Sequence, residues 1–174
     1  MTSSAAHPPS PITIRQAVAS DYPEIARITV DSYLSAGHFE DPDHPYLQVV
    51  QQVAERHAAA EILVAERDGA VIGAVTLVRA GNPYADIALE NELEFRMLVV
   101  DPAVQRSGAG RAMMQEIIRR GRDLEGVDTI SLTTGSNWMA AQALYTHLGF
   151  HNVPERDWLV PDTDILLKVY VLPL

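Results

Sequence analysis

Residues 94–122 read Glu-Phe-Arg-Met-Leu-Val-Val-Asp-Pro-Ala-Val-Gln-Arg-Ser-Gly-Ala-Gly-Arg-Ala-Met-Met-Gln-Glu-Ile-Ile-Arg-Arg-Gly-Arg. Met97–Val100 is an apolar run of strand length, and Asp101-Pro102 ends it. Gln105 to Gly110 is a short turn carrying two glycines. From Arg111 the period changes, and Ala112, Met113, Ile117 and Ile118 form an apolar stripe at helical spacing. A strand, a glycine turn and a helix in that order make an anion site. Glycine lets the backbone approach a ligand closely, and the first N–H groups of a helix lack internal partners. A phosphate-bearing ligand is therefore expected here.

The flanking segments supply a sheet and its cover. Ile62–Glu66 and Val71–Val78 read as strands joined across Asp68-Gly69, a hairpin signal, with Gly73 marking a bulge or close packing. Thr129–Thr133 is a further buried strand. Gly135-Ser136-Asn137 leads into a helix from Trp138 to Leu148, with Asn137 or Ser136 as N-cap and Gly149 as a left-handed cap. Trp158–Val160 and Ile165–Leu172 form a late hairpin across Pro161-Asp162. Near the start, Ile12–Arg15 is a short strand, and Asp21-Tyr22-Pro23-Glu24 opens a first helix with Asp21 as N-cap. A second helix places Tyr46, Val49, Val50, Val53, Ala54 and His57 on one stripe.

Together these predict an α/β fold: a mixed, mostly antiparallel β-sheet of about seven strands, flanked by about four helices. Residues 1–10, small, polar and proline-rich, read as a disordered tail, and 11–174 as one domain.

Composition narrows the function classes. A formal charge of −10 argues against nucleic acid or an anionic membrane as partner. No apolar run reaches the ~18 residues of a membrane span, and no secretory signal is visible, so a cytoplasmic protein is expected. With no cysteine there is no disulfide and no thiolate chemistry. Yet Arg106, Arg111, Arg119, Arg120 and Arg122 fall in one stretch, and the first two flank the glycines. No metal is expected: His147 and His151 have helical spacing, but Gly149 lies between them.

The glycine turn fails two nucleotide motifs. A dinucleotide fingerprint needs a small residue where Met113 stands, and a Walker loop needs a lysine, whereas Lys168 is the chain's only one. What Gln105, Gly108 and Gly110 do match is the Gln/Arg-x-x-Gly-x-Gly/Ala signature of the GNAT superfamily of N-acetyltransferases. Glu94–Pro102 resembles the strand that precedes this signature. Asn137 through Phe150, with Leu144-Tyr145 and Leu148-Gly149-Phe150, is similar to the family's second cofactor segment. The resemblance extends over about residues 12–172.

It implies an N-acetyltransferase that uses acetyl-CoA as co-substrate and moves the acetyl group by direct attack of a primary amine. Gln105, Arg106, Ser107, Gly108, Ala109, Gly110 and Arg111 would hold the pyrophosphate. Leu98, Val99 and Val100 would pair their backbone with the pantetheine arm, and Asn137 would reach the cofactor. Tyr145 would be catalytic, protonating the leaving thiolate or holding its charge, with the Leu98 N–H as oxyanion donor. Glu94 is the first candidate for general base. Glu92, or a water chain to Tyr33, His38 or Glu40, are the others. The acceptor would be a small-molecule amine or a peptide or protein amine, and a homodimer is expected from family habit. Glu40, Asp41 and Asp43 could attract a cationic amine or be a solvated loop. A non-catalytic acyl-CoA sensor or interaction domain would keep the same fold and cofactor site.

Overall fold

The computed structural model describes residues 8–104 and 106–174. Gln105 and residues 1–7 of the expected tail lie outside the described residues. Eight strands form one sheet: β1 (Thr13–Gln16), β2 (Glu61–Arg67), β3 (Ala70–Arg79), β4 (Glu92–Val100), β5 (Thr129–Gly135), β6 (His151–Asn152), β7 (Trp158–Leu159) and β8 (Leu166–Pro173). The helices are α1 (Tyr22–Ser35), α2 (Pro45–Val50), α3 (Val53–Ala59), α4 (Ala109–Asp123) and α5 (Met139–His147). The strand order is β1-β2-β3-β4-β5-β8-β6, with β7 also on β8. Neighbours are antiparallel except β4 and β5, which are parallel.

The alternation of the strands explains the two layers. On β2, Leu63 and Ala65 face one side and pack with Phe95, Met113, Ile117 and Leu132 beneath α4. Ile62 and Val64 face the other side and pack with Ile25 and Ile28 of α1 and Val53 of α3. A strand buried on both faces reads as a continuous apolar run, as Ile62–Ala65 does. Gly73 permits close packing: a Cβ there would lie 2.8 Å from Met113 Cε and 2.9 Å from the Val99 carbonyl oxygen.

Three expectations are corrected. The single second helix is two short ones, because the chain breaks at Gln51-Gln52; Val49 is consequently 48% exposed and Ala54 is exposed, off the expected stripe. The two-residue β6 adds an eighth strand. At α5 the N-cap position falls to Trp138, with no side-chain cap bond, rather than to Asn137 or Ser136. Asp21 does stand before α1, but its carboxylate accepts from the Val18 N–H and from Arg15.

One irregularity positions the site. Ala74 pairs with Val99 and Thr76 with Arg96, so Met97 and Leu98 together oppose Val75. This is a bulge, and Met97 takes a left-handed φ of 54° to make it. β4 pairs with β5 only over Glu92–Glu94 and Thr129–Ser131. Residues 95–100 and 132–135 have no pairing to each other.

Candidate functional site

The two strands part just where the bulge re-aims β4, and a groove of about 750 Å³ lies beside the freed strand. Leu98 and Val100 form one wall, Leu144, His147 and Leu148 of α5 another, and residues 106–111 close the end with Met114. The end wall is the glycine turn. Gly108 occupies the N-cap of α4 with φ 89°, a conformation that an L side chain strains to adopt. The turn and the start of a fifteen-residue helix thus meet the groove, with the positive end of the helix dipole and first-turn N–H groups, of which that of Ala109 donates to Ser107 Oγ (3.3 Å).

The turn is pinned from both sides. Arg27 of α1 donates to Asp101 (2.7 Å), whose other oxygen accepts the Ala103 N–H. That bond with Arg27 holds the Asp101 carboxyl below its ordinary pKa. Arg67, at the end of β2, donates through Nε to the Ser10 carbonyl and through Nη2 to the Ser107 carbonyl, both at 3.0 Å. Ser10, the last residue of the expected tail, is therefore held against the turn. No sequence motif pointed to Arg67.

Most of the expected cofactor residues come together. Leu98, Val100, Arg106, Ser107, Gly108, Ala109, Gly110 and Arg111 line the groove. Val99 does not: its side chain is buried on the α1 face, which leaves only its backbone for the strand edge. Gln105 lies outside the described residues, and Asn137 is exposed and not in the lining. Met114 and His147 also line the groove and were missed, whereas Leu144 and Leu148 belong to the segment that resembled the family's second cofactor segment. Those two side chains, Met114 and His147, come from α4 and α5, and neither has a motif of its own.

Tyr145 packs its ring among Phe95, Phe150 and Tyr170, with centroids 5.8–6.5 Å away. Burial pushes its phenol up to about 12, so it stays protonated at neutral pH.

The two glutamates of β4 are both engaged. Glu94 is fully buried, and its oxygens accept the backbone N–H groups of Asp86, Ile87 and Ala88 at 3.1–3.2 Å. Burial raises its pKa although those bonds oppose the rise. Glu92 is paired with Arg156 at 2.6 and 2.9 Å and accepts from the Leu89 N–H. Burial works to raise its pKa, but Arg156 brings it below the usual range. Glu94 therefore anchors the loop before β4, with both carboxylate oxygens taken by backbone donors.

On the opposite face of the sheet an aromatic cluster gathers over β4 and the end of β5. Tyr33 of α1 stacks on Tyr46 of α2 (6.2 Å, 17°), with Phe39 beside both. His38 stacks on Trp138 at 3.7 Å and 20°. Trp138 folds back over Gly135, where a Cβ would lie 2.7 Å from the indole. Burial lowers the His38 pKa and favours the neutral imidazole. Asp41, Asp43 and Glu40 are exposed.

The family model described as Acetyltransferase (GNAT) family matches residues 22–150. This chain belongs to the GNAT acetyltransferase family. Among curated proteins, the [ribosomal protein bS18]-alanine N-acetyltransferase of Escherichia coli K12 is 39% identical over 67 residues, 38% of this chain and 45% of that protein. The GNAT chain thus matches less than half the length of that relative. Its fold is shared by a GNAT-family acetyltransferase from Staphylococcus aureus Mu50 (TM-score 0.71, 16% identity, covering 94% and 99% of the two chains). It is shared by a ribosomal-protein-alanine N-acetyltransferase from Brucella melitensis (0.68, 21%, 93% and 99%). An acetyltransferase from Salmonella typhimurium, solved with its cofactor acetyl-CoA, also shares it (0.62, 20%, 94% and 94%). The GNAT fold expected from the sequence is confirmed, with eight strands in place of about seven. No described helix is long and apolar enough to cross a membrane.

Proposed function

We propose that the protein is an acetyl-CoA-dependent N-acetyltransferase that acts on a primary amine by direct attack. The observation that carries this reading is the parting of β4 from β5 beside a groove that ends at the N-terminus of α4. An elongated ligand with an amide-bearing arm and a pyrophosphate matches both parts. The arm bonds the free backbone edge of Leu98–Val100, and the pyrophosphate takes the N–H groups around Gly108–Arg111. Arg106 and Arg111 supply positive charge at that end of an otherwise acidic chain. The Salmonella acetyltransferase, solved with acetyl-CoA, supports the choice of cofactor.

The chemistry follows from the neighbours. The amine nitrogen attacks the thioester carbonyl carbon, and the Leu98 N–H stabilises the oxyanion. The C–S bond then breaks, and the thiolate needs a partner. A thiol of ordinary pKa near ~8.5 cannot take a proton downhill from a phenol near ~12. The Tyr145 hydroxyl therefore holds the thiolate by a hydrogen bond, and the thiol proton comes ultimately from the amine through solvent. For that amine proton, the surroundings favour His38 over Glu94. His38 is neutral by burial and sits in the aromatic cluster, whereas Glu94 has its oxygens taken by three backbone N–H groups. Its partial match to a ribosomal-protein-alanine N-acetyltransferase makes an N-terminal peptide amine one acceptor class to test.

The test is direct. Calorimetry should find coenzyme A binding to the wild type and none to Gly110→Val. The Gly110 Cβ position lies 3.8 Å from Val100 Cγ2, so the substitution fills the groove without a strained φ. A panel of amines with acetyl-CoA should release thiol. Binding without thiol release from any amine overturns catalysis in favour of an acyl-CoA-binding module, and no binding overturns the cofactor.

A further inference from the structure

Among the described residues, four buried polar side-chain atoms have no hydrogen-bond partner: Arg79 Nε, Ser131 Oγ, Thr134 Oγ1 and Trp158 Nε1. Buried polar atoms in folded proteins are nearly always bonded, so each exception asks for a cause. Only Arg79 Nε belongs to a charged group. Arg79 also has no carboxylate within ion-pair distance among the described residues. Arg56 and Arg67 share that lack, but their Nε atoms donate to Thr76 Oγ1 and to the Ser10 carbonyl. Arg79 makes one bond, from Nη2 to the Glu90 carbonyl, and at 3.3 Å it is long.

The register of the sheet places this guanidinium at the edge of a groove. Arg79 pairs with Leu93, and Leu93 with Ile130, in one rung; Glu61 and Leu77 pair in the next. Leu77, Leu93 and Ile130 face α4. That helix ends at Asp123, and Leu124 follows it with 38% of its surface exposed. Where the helix stops lies a groove of about 380 Å³, with Leu77, Leu93 and Leu124 as its apolar part and Arg79 and Asn82 on its rim. It adjoins a hollow of about 280 Å³ that shares the same three leucines. The rim is fixed, because Asn82 Nδ2 donates to the Ala59 carbonyl at 2.7 Å and ties the loop after β3 to the end of α3.

The charges around the groove cancel in pairs except at Arg79. Glu61 is taken by Arg120 and Asp123 by Arg119. Glu90 offers Arg79 its carbonyl and not its carboxylate. What complements such a groove is one negative charge on a small apolar body. The charge meets the guanidinium, whose planar fork matches a carboxylate, and the body covers the leucines. The volume lies in the range of small-molecule sites.

We propose that this groove is a second small-molecule site, which takes a monocarboxylate with a compact apolar body and holds its carboxylate on Arg79. The carboxylate accepts from Nη1, which makes no bond among the described residues, and the loosely held head turns off the Glu90 carbonyl to present its Nε edge as well. The site stands apart from the acetyl-CoA groove. One lies at the N-terminus of α4 and the other at its C-terminus, about 20 Å away at 1.5 Å per residue. The inference therefore does not depend on the acetyl-transfer reading.

The experiment is calorimetry on the full chain, with and without saturating coenzyme A, using matched probes: phenylacetate against phenylacetamide, and 4-methylpentanoate against 4-methylpentanamide. Acetate serves as the charge without the body. At least one acid should bind about tenfold or more tightly than both its amide and acetate, the size of a charge-assisted bond. Arg79→Gln should abolish the preference for acid over amide, and Arg79→Lys should retain part of it. Leu124→Ser should bring the acid toward the affinity of acetate. The inference is overturned if each acid binds like its amide in the wild type, if the preference survives in Arg79→Gln, or if coenzyme A displaces the acid. Should Arg79→Gln fail to fold, Leu124→Ser and the competition with coenzyme A decide. A chain that binds no coenzyme A but keeps the preference through Arg79 would refute the cofactor and leave this groove standing.

Discussion

Glu94 faces Ser131 on the last rung that joins β4 to β5, and beyond that pair the strands separate. The free edge of β4 is then an unpaired row of backbone groups, which a bound arm can complete. Coenzyme A at a hundred times its Kd should stabilise the fold by about 2.7 kcal/mol. Amide exchange at Leu98 and Val100 should slow with it. A thermal transition unmoved by the ligand, with unchanged exchange at those residues, refutes the groove assignment.

The bulge is held by Met97 at φ 54°, where a side chain is strained by roughly 1–2 kcal/mol. Met97→Gly should leave stability nearly unchanged, since relief of strain offsets the entropy of glycine. Met97→Val should cost at least about 1 kcal/mol, because β-branching suits the left-handed region worst. Urea unfolding of the pair checks this. Equal losses from both would mean that the Met97 side chain, and not its backbone, matters.

Removing the Tyr145 hydroxyl leaves its ring among Phe95, Phe150 and Tyr170. Tyr145→Phe should keep coenzyme A affinity and lose about 100-fold in kcat. Its phenol is raised to about 12 by burial, so the folded state holds the proton more tightly than the unfolded chain does. That contribution to stability is complete below pH ~10 and is lost as pH rises toward ~12. Ultraviolet titration should show two tyrosines fewer, Tyr33 and Tyr145, ionising near pH 10 in the folded wild type than in the unfolded protein.

His38 and Glu94 separate by pH. Burial lowers the His38 pKa below its ordinary 6.5, so the acid limb of kcat/KM should fall below that pH, and His38→Asn should remove the limb with a loss of about 100-fold. The unfolded chain binds the proton first, so stability also falls as pH drops below 6.5. Glu94→Gln should instead cost about 1–3 kcal/mol of stability, since an amide nitrogen would face backbone N–H donors. A large kcat loss in Glu94→Gln with an unchanged melting point would return the base to Glu94.

Arg67 ties Ser10 to the turn by donating to the carbonyls of Ser10 and Ser107. Arg67→Ala should raise KM for acetyl-CoA about tenfold, the scale of one charge-assisted hydrogen bond, with kcat retained. A fall in kcat at constant KM would place Arg67 in the chemistry instead.

The strand–turn–helix at 94–122 was legible because each part has its own signature: apolar run, Asp-Pro stop, glycines, helical stripe. The hairpin at Asp68-Gly69 was legible for the same reason. The break at Gln51-Gln52 was not, since Val50 and Val53 keep helical spacing across it and no proline or glycine intervenes. Glu94 could be placed on its strand, but whether its carboxylate was open depended on the loop at 86–88, whose course no local pattern gives. That α5 walls the groove beside α4 is a relation between distant segments, which composition does not carry.

The His38–Trp138 stack joins the loop after α1 to the first turn leading into α5. One ring belongs to the side proposed for the acceptor, and the other begins the helix that walls the cofactor groove. A ligand that shifts either ring changes the free energy of the other, and the coupling must be reciprocal. Whatever factor acetyl-CoA adds to acceptor affinity, the acceptor returns to acetyl-CoA. Breaking the stack with Trp138→Leu should therefore bring that factor toward one, measured as acceptor affinity with and without acetyl-CoA.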